Sequence, residues 1–218
     1  MGIYMLINER KIDQTNWPRK ELFTFFSADQ ESQLYEITNQ IDVTNLYQFV
    51  KREDISFYYA LIQLSTTALN RIENFRYRIR GADVYCLAQL TPSFTTLQPG
   101  SELFQITTVD YVTDVIQFAQ QAKLISNHQT TMMAFGDYQP DQLVQFSCLP
   151  WLHYSSFNME RSPDLADSVP KITWGKYESV AQRLRLPYTI QVNHRLVDGY
   201  HLGLFFTELQ TLIDQLPN

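Results

Sequence analysis

Glycine is scarce, with seven residues in a chain of 218. No Gly-rich stretch follows a strand pattern, which excludes the phosphate-cradling loops of nucleotide-binding folds. Cysteine is scarcer: only Cys86 and Cys148 occur, inside the apolar runs "VYCLAQL" and "VQFSCLPW". That placement predicts buried reduced thiols and excludes a disulfide framework. The four histidines are His128, His153, His194 and His201, and none joins a cysteine at metal-ligand spacing. His194 and His201 lie across a glycine turn, a poor ligand geometry, so no metal is expected. No apolar stretch approaches the roughly 20 residues of a membrane span. The start, "MGIYMLINERKIDQ", lacks a basic segment followed by a long apolar run, and Leu6 breaks the myristoylation pattern. A cytoplasmic protein with no membrane partner is expected. Basic residues are outnumbered, 17 against 23 acidic, for a net charge of -6. Without a long basic run, nucleic-acid binding is not expected.

What is present is apolar and aromatic. Hydrophobic residues make up 44% and charged ones 18%, with 13 Tyr and 14 Phe. So bare a surface suggests cover by a partner subunit. The length suits a core of good size, and no linker, repeat or low-complexity segment divides it. The expectation is one domain, residues 1–218.

Five helices are predicted. "TNWPRKELFTFFS" has Pro18 near its start and Leu22, Phe23 and Phe26 on one face. "DVTNLYQFVKRE" reads as a short helix capped by Thr44 or Asn45. "DISFYYALIQLSTTALNRI", capped by Ser56, is apolar on most sides and should be buried. "TDVIQFAQQAKLI" is amphipathic, and "GYHLGLFFTELQTLIDQL" carries Leu202, Phe205, Leu209 and Ile213 at helical spacing. Strands are predicted in "FRYRI", "VYCLAQL", "SFTTL", "LFQITTV", "LVQFSCL", "YSSFNM", "KITWGKYES" and "YTIQVN". The order is not a strict βαβ alternation. It implies an α/β fold, a mixed sheet covered by helices in a two-layer sandwich.

The segment "YTIQVNHRLVDGYH" concentrates chemistry. Period two puts Tyr188, Ile190, Val192 and His194 on one strand face, so His194 points with the core. A lone histidine there is ordinarily a satisfied core residue. Asp198 and Gly199 argue for more: Gly199 permits a turn or close backbone approach, and Asp198 needs a partner to stay charged. A neutral imidazole facing a cleft could accept a proton near pH 7.

"NHRLVDGYHLGLFFTELQ" resembles the H-H-x-x-x-D-G-x-H signature of the chloramphenicol acetyltransferase family. Four further segments resemble that family in the same order: "NWPRKELFTFF" its W-x-R-[KR]-E-x-F element, "SFYYALIQL" its K-F-Y-P helix opening, "FSCLPWLHYSSFNME" its S-x-x-P-W segment and "TWGKY" its T-[MW]-[AG]-K-Y element. The resemblance implies a homotrimer with active sites between subunits, taking acetyl-CoA as co-substrate and a small hydroxyl acceptor, chloramphenicol. His194 takes the place of the general base and Ser147 that of the oxyanion donor. Asp198 and Arg19 fill the places of a structural ion pair. Phe26 and Phe104 stand where relatives line the acceptor pocket, and Thr173 where a threonine orders water. Trp151, Lys176 and Tyr177 match positions near the coenzyme. The match departs at Asn193, in place of the first motif histidine, at Ser56 and Tyr59, for lysine and proline, and near Ser32, where relatives carry a pocket cysteine.

The core "HRLVDG" also resembles the D-H-R-x-x-D-G motif of dihydrolipoamide acyltransferases, which share the fold. That reading lacks a lipoyl domain in 218 residues. Transfer to another small hydroxyl compound, or a non-catalytic trimeric binding protein, are the remaining alternatives.

Overall fold

The computed structural model describes residues 8–28, 33–98, 100–160 and 162–217. In chain order the elements are β1 (Glu9–Lys11), α1 (Lys20–Ser27), β2 (Leu34–Asp42), α2 (Thr44–Arg52), α3 (Phe57–Arg71), β3 (Tyr77–Arg80), β4 (Asp83–Leu87), β5 (Thr91–Leu97), β6 (Phe104–Thr108), α4 (Val115–His128), β7 (Met133–Ala134), β8 (Leu143–Cys148), β9 (Lys171–Trp174), β10 (Glu178–Val180), β11 (Arg183–Asn193) and α5 (Gly199–Asp214). The main sheet runs β10-β11-β9-β8-β5-β6-β7, with β2 antiparallel to β11, and β1-β4-β3 form a small second sheet. β8 is parallel to both β5 and β9, while β11 is antiparallel to β9, so the main sheet is mixed.

Strand parity gives this sheet two unlike faces. One cross-strand row is apolar: Phe94, Phe146, Ile172 and Ile190 are successive partners and all buried. This face packs under the helices. Tyr188 reaches from it to Ser65 of α3, its hydroxyl 2.7 Å from the serine oxygen, and stacks on Trp174 with ring centroids 5.9 Å apart. The next row is made of hydroxyls: Ser147, Thr173, Thr189 and Thr38 are successive partners. Residues 149–160 and 162–170 lie across this second face. Tyr154 donates to the Thr173 carbonyl at 2.9 Å, and Asn193 Nδ2 to the Asp167 carbonyl at 2.8 Å.

Pro187 sits inside β11, where a missing N–H would ordinarily break a ladder. Its carbonyl accepts from Gly175 at 3.0 Å, in the gap between β9 and β10. The absent donor points to the same gap, where the partner strand is already interrupted. Gly175 is required there, because a Cβ would stand 2.6 Å from the Leu152 carbonyl oxygen.

The predicted helices α2 to α5 and most strands are present. "YSSFNM" is not a strand, because its aromatic side chains, not its backbone, dock on the sheet; Tyr154 and Phe157 pair with centroids 5.5 Å apart. "KITWGKYES" is two strands split at Gly175. β2 was not anticipated: Leu34 and Ile41 are buried but seven residues apart, with an exposed Ile37 between them, so no clean alternation marks it. The N-cap residue of α2 is Val43, without a side-chain cap, and not Thr44 or Asn45; Asp42, one residue earlier, accepts the Thr44 amide on Oδ1 at 3.0 Å. Helix α1 begins at Lys20, after Pro18, and of its expected apolar face Leu22 is exposed. Cys86 is buried as expected and Cys148 half-buried; both are free thiols.

Candidate active site

β11 ends at Asn193, and His194 is the first residue of the turn into α5. Its ring nevertheless lies beside Tyr35, the register partner of Val192, on the face that Ile190 and Val192 share. The His194 amide makes the next rung of the β11–β2 register, bonding the Gln33 carbonyl at 2.8 Å, and the turn closes where Leu196 and Val197 both fold back onto the Asn193 carbonyl at 3.0 Å. The imidazole is half-buried between two rings, Phe26 at 4.2 Å and Tyr35 at 4.7 Å between centroids, both edge-on. Its Nδ1 is buried and has no hydrogen-bond partner among the described residues. Burial pushes the His194 pKa below its usual 6.5, outweighing the upward pull of the Asp198 carboxylate; the Arg19 cation adds to the lowering.

The turn is held by one guanidinium. Arg19, 8% exposed at the start of α1, pairs with both carboxylate oxygens of Asp198. The same group donates from Nε to the Arg195 carbonyl at 2.7 Å and to the His194 carbonyl at 2.9 Å. The Arg19 hydrogen bonds hold the Asp198 carboxyl below its usual pKa despite partial burial. Asp198 also caps α5, and its own amide donates to His201 Nδ1 at 3.0 Å. That contact needs an unprotonated Nδ1, and burial lowers the His201 pKa accordingly. Gly199 is simply the first residue of α5. Its φ is not positive and a Cβ would meet nothing within 4 Å, so neither the expected turn conformation nor the close approach occurs.

Ser147 lies elsewhere, on β8, in the hydroxyl row. It is the register partner of Thr173, and its Oγ is 3.1 Å from the Thr95 hydroxyl. The three residues line a cleft of about 600 Å³ together with Phe157, Met159 and Lys171. Phe104 is on the same sheet face, paired with Leu97 two residues beyond Thr95, and is 52% exposed. Trp151, Lys176 and Tyr177 gather at one end of the sheet: Lys176 donates to the Leu152 carbonyl at 2.7 Å, and Tyr177 packs on Tyr47 and Phe57 at 5.7 and 6.0 Å. Trp151 is 66% exposed. Ser56 caps α3 beside Phe57, while Tyr59 is in the core against Phe94. Ser32 lies outside the described residues.

The structure thus brings together His194, Phe26, Arg19 and Asp198 in one group and Ser147 and Thr173 in another, with Phe104 on the same sheet face but outside the cleft lining. Register separates the groups. Thr189 aligns with Thr173 and so with Ser147, and His194 lies five residues further along the chain. Five residues of strand and two strand spacings put His194 and Ser147 roughly 15–20 Å apart within one chain. Sequence reading missed Tyr35 and Thr95. Tyr35 belongs to the unanticipated β2, and Thr95 becomes visible only once β5 is known to lie beside β8.

This architecture is that of the CoA-dependent acyltransferases. A solved chloramphenicol acetyltransferase superposes with a TM-score of 0.80 at 25% identity, covering 95% of this chain and 98% of that one. A probable dihydrolipoamide acetyltransferase from Listeria monocytogenes shares the fold alone, with a TM-score of 0.65 at 12% identity over 91% of this chain and 90% of that one. The chain belongs to the chloramphenicol acetyltransferase family, whose model matches residues 7–210. A chloramphenicol acetyltransferase of Staphylococcus aureus is 32% identical over 97% of this chain and 98% of its own length. Chloramphenicol acetyltransferase 3 of Escherichia coli is 28% identical over 94% and 97%.

Proposed function

We propose that the chain transfers the acetyl group of acetyl-CoA to a hydroxyl of chloramphenicol. The observation that carries this reading is membership of the family over nearly the whole chain. The depressed pKa of His194 supports its role as base, since the imidazole is then neutral near pH 7. With Nδ1 buried, Nε2 is the nitrogen that takes the proton of the acceptor hydroxyl. The hydroxyl oxygen attacks the thioester carbonyl carbon, and the carbonyl electron pair moves onto oxygen. Ser147 donates a hydrogen bond to that oxyanion. Collapse restores the carbonyl, breaks the C–S bond and expels the CoA thiolate, which recovers the proton from His194. Asp198 and Arg19 hold the turn that carries the base.

The separation of His194 from Ser147 supports a site completed by two copies, since the reacting atoms must approach to about 3 Å. A homotrimer of single-domain chains is the proposed assembly, in keeping with a fold whose half-sites lie on different strands, one in mid-sheet on β8 and one in the turn after β11. Phe26 then comes from the copy that supplies His194, and Phe104 and Thr173 from the copy that supplies Ser147. Trp151, Lys176 and Tyr177 are assigned to the coenzyme, the exposed indole offering a flat apolar contact. The chemistry asks for no metal, and the proposed compartment is the cytoplasm; among the described residues no helix is long and apolar enough to cross a membrane.

A second reading keeps the chemistry but changes the acceptor, and the departures at Asn193, Ser56 and Tyr59 favour testing it. The experiment is thiol release from acetyl-CoA with chloramphenicol beside a panel of other small hydroxyl compounds. Saturable release with chloramphenicol supports the first reading. Release only with another compound overturns the acceptor while leaving the acyl-transfer chemistry in place.

A further inference from the structure

Ser147 has one hydroxyl proton, and the hydroxyl within reach of it is that of Thr95, 3.1 Å away. Geometry alone allows either oxygen to donate. Chemistry decides: a serine that gives its proton to Thr95 has none left for an oxyanion. We propose that Thr95 is a positioning residue for the reaction, donating its hydroxyl proton to Ser147 Oγ so that the Ser147 proton is free to point into the cleft. This rests on the reading of Ser147 as the oxyanion donor.

The structure holds Thr95 for this task from behind. Its side chain faces the cleft, where it lines the wall with Ser147 and Thr173. Its carbonyl accepts the Tyr58 hydroxyl at 2.7 Å. Burial keeps Tyr58 protonated, raising its pKa well above 10, so it remains a donor. The Tyr58 ring is wedged against Trp174 at 5.3 Å and Phe94 at 6.1 Å, both on the helix-covered side of the sheet. β5 is parallel to β8 with Phe94 opposite Phe146, so the next residues, Thr95 and Ser147, stand side by side. The two hydroxyls are thereby set by backbone register, and the Ser147 rotamer need not be searched at each turnover. A donor accepted by Ser147 also polarises its O–H, which strengthens the bond that Ser147 makes in turn.

Thr95→Val removes the hydroxyl at nearly constant volume and keeps the β-branched shape a strand prefers. It should lower kcat roughly 3- to 10-fold, what one neutral hydrogen bond carries, with KM for acetyl-CoA and chloramphenicol within about twofold. Thr95→Ser, which restores a donor, should recover most of the loss. In a Ser147→Ala background, Thr95→Val should cost nothing further, because the group it positions is gone. Thiol release is read with chloramphenicol and, without acceptor, as slow acetyl-CoA hydrolysis, since both pass through the tetrahedral oxyanion. An unchanged kcat in Thr95→Val, an equal loss in both backgrounds, or no rescue by Thr95→Ser overturns the proposal. If Ser147→Ala itself keeps full turnover, the reading of Ser147 fails instead, and the two failures are told apart.

Discussion

Arg19 grips Asp198 with two N–H groups while two more take the backbone carbonyls of His194 and Arg195. One side chain therefore fixes both the acid that caps α5 and the backbone of the candidate base. The guanidinium fork suits this task, because lysine could not make parallel bonds to a carboxylate and two carbonyls together.

Arg19→Ala and Asp198→Ala should each destabilise the protein by about 2–4 kcal/mol, a little below a fully buried pair because Asp198 is partly exposed. The double variant should lose much less than the sum of the two. Thermal or denaturant unfolding of the four proteins gives the coupling. Additive losses contradict a shared role.

The pH dependence follows from the same group. The folded-state pKa of His194 is depressed, so kcat/KM should rise with pH along a limb centred below 6.5. Asp198→Asn removes the one charge that pulls this pKa upward and leaves Arg19 uncompensated, so the limb should move lower still. A limb centred above 7, or one moved upward by Asp198→Asn, contradicts the assignment. Stability should fall in acid, with the sign set by two depressed pKa values. The unfolded chain takes protons first, at His194 below pH 6.5 and at Asp198 below 3.8, so each contribution fades as pH drops toward the folded value.

Ser147→Ala should lower kcat by roughly 10- to 1000-fold with little change in KM, because an oxyanion donor acts in the transition state. Steady-state kinetics in both substrates separates the two parameters. A raised KM at unchanged kcat assigns Ser147 to substrate binding.

Much of this was legible before the fold was known, and the reasons are local. The run "QVNHRLVDGYH" shows its strand end, its acid and its helix start within a few residues. α3 and α5 announce themselves through long apolar periodicity. Arg19 and Asp198 could be paired only through family resemblance, because 179 residues separate them in sequence. β2 was hidden because the loop covering the hydroxyl face leaves it no simple inside and outside. The start of α2 was misplaced because its N-cap, Val43, is not a capping residue type, and the nearby polar contact comes from Asp42 at the end of β2. The distance between His194 and Ser147 depends on the register of β8, β9 and β11, which no local pattern reveals. The same register places Thr95 beside Ser147.

His194→Ala should abolish acetyl transfer while leaving fold and assembly intact, since the ring is half-buried and its Nδ1 has no hydrogen-bond partner among the described residues. Circular dichroism and sedimentation check the scaffold, and thiol release checks the chemistry. More than a few per cent of wild-type turnover contradicts the role of base.

The most direct test of a site shared between copies mixes two inactive proteins. His194→Ala and Ser147→Ala chains are unfolded together in equal amounts and refolded, beside each variant refolded alone. If each site takes its histidine from one copy and its serine from the next around a closed ring, random assembly pairs two intact residues at about one site in four. Activity should then return to roughly a quarter of refolded wild type. Mixtures no more active than the average of the two variants would place both residues in a site within one chain and contradict the account.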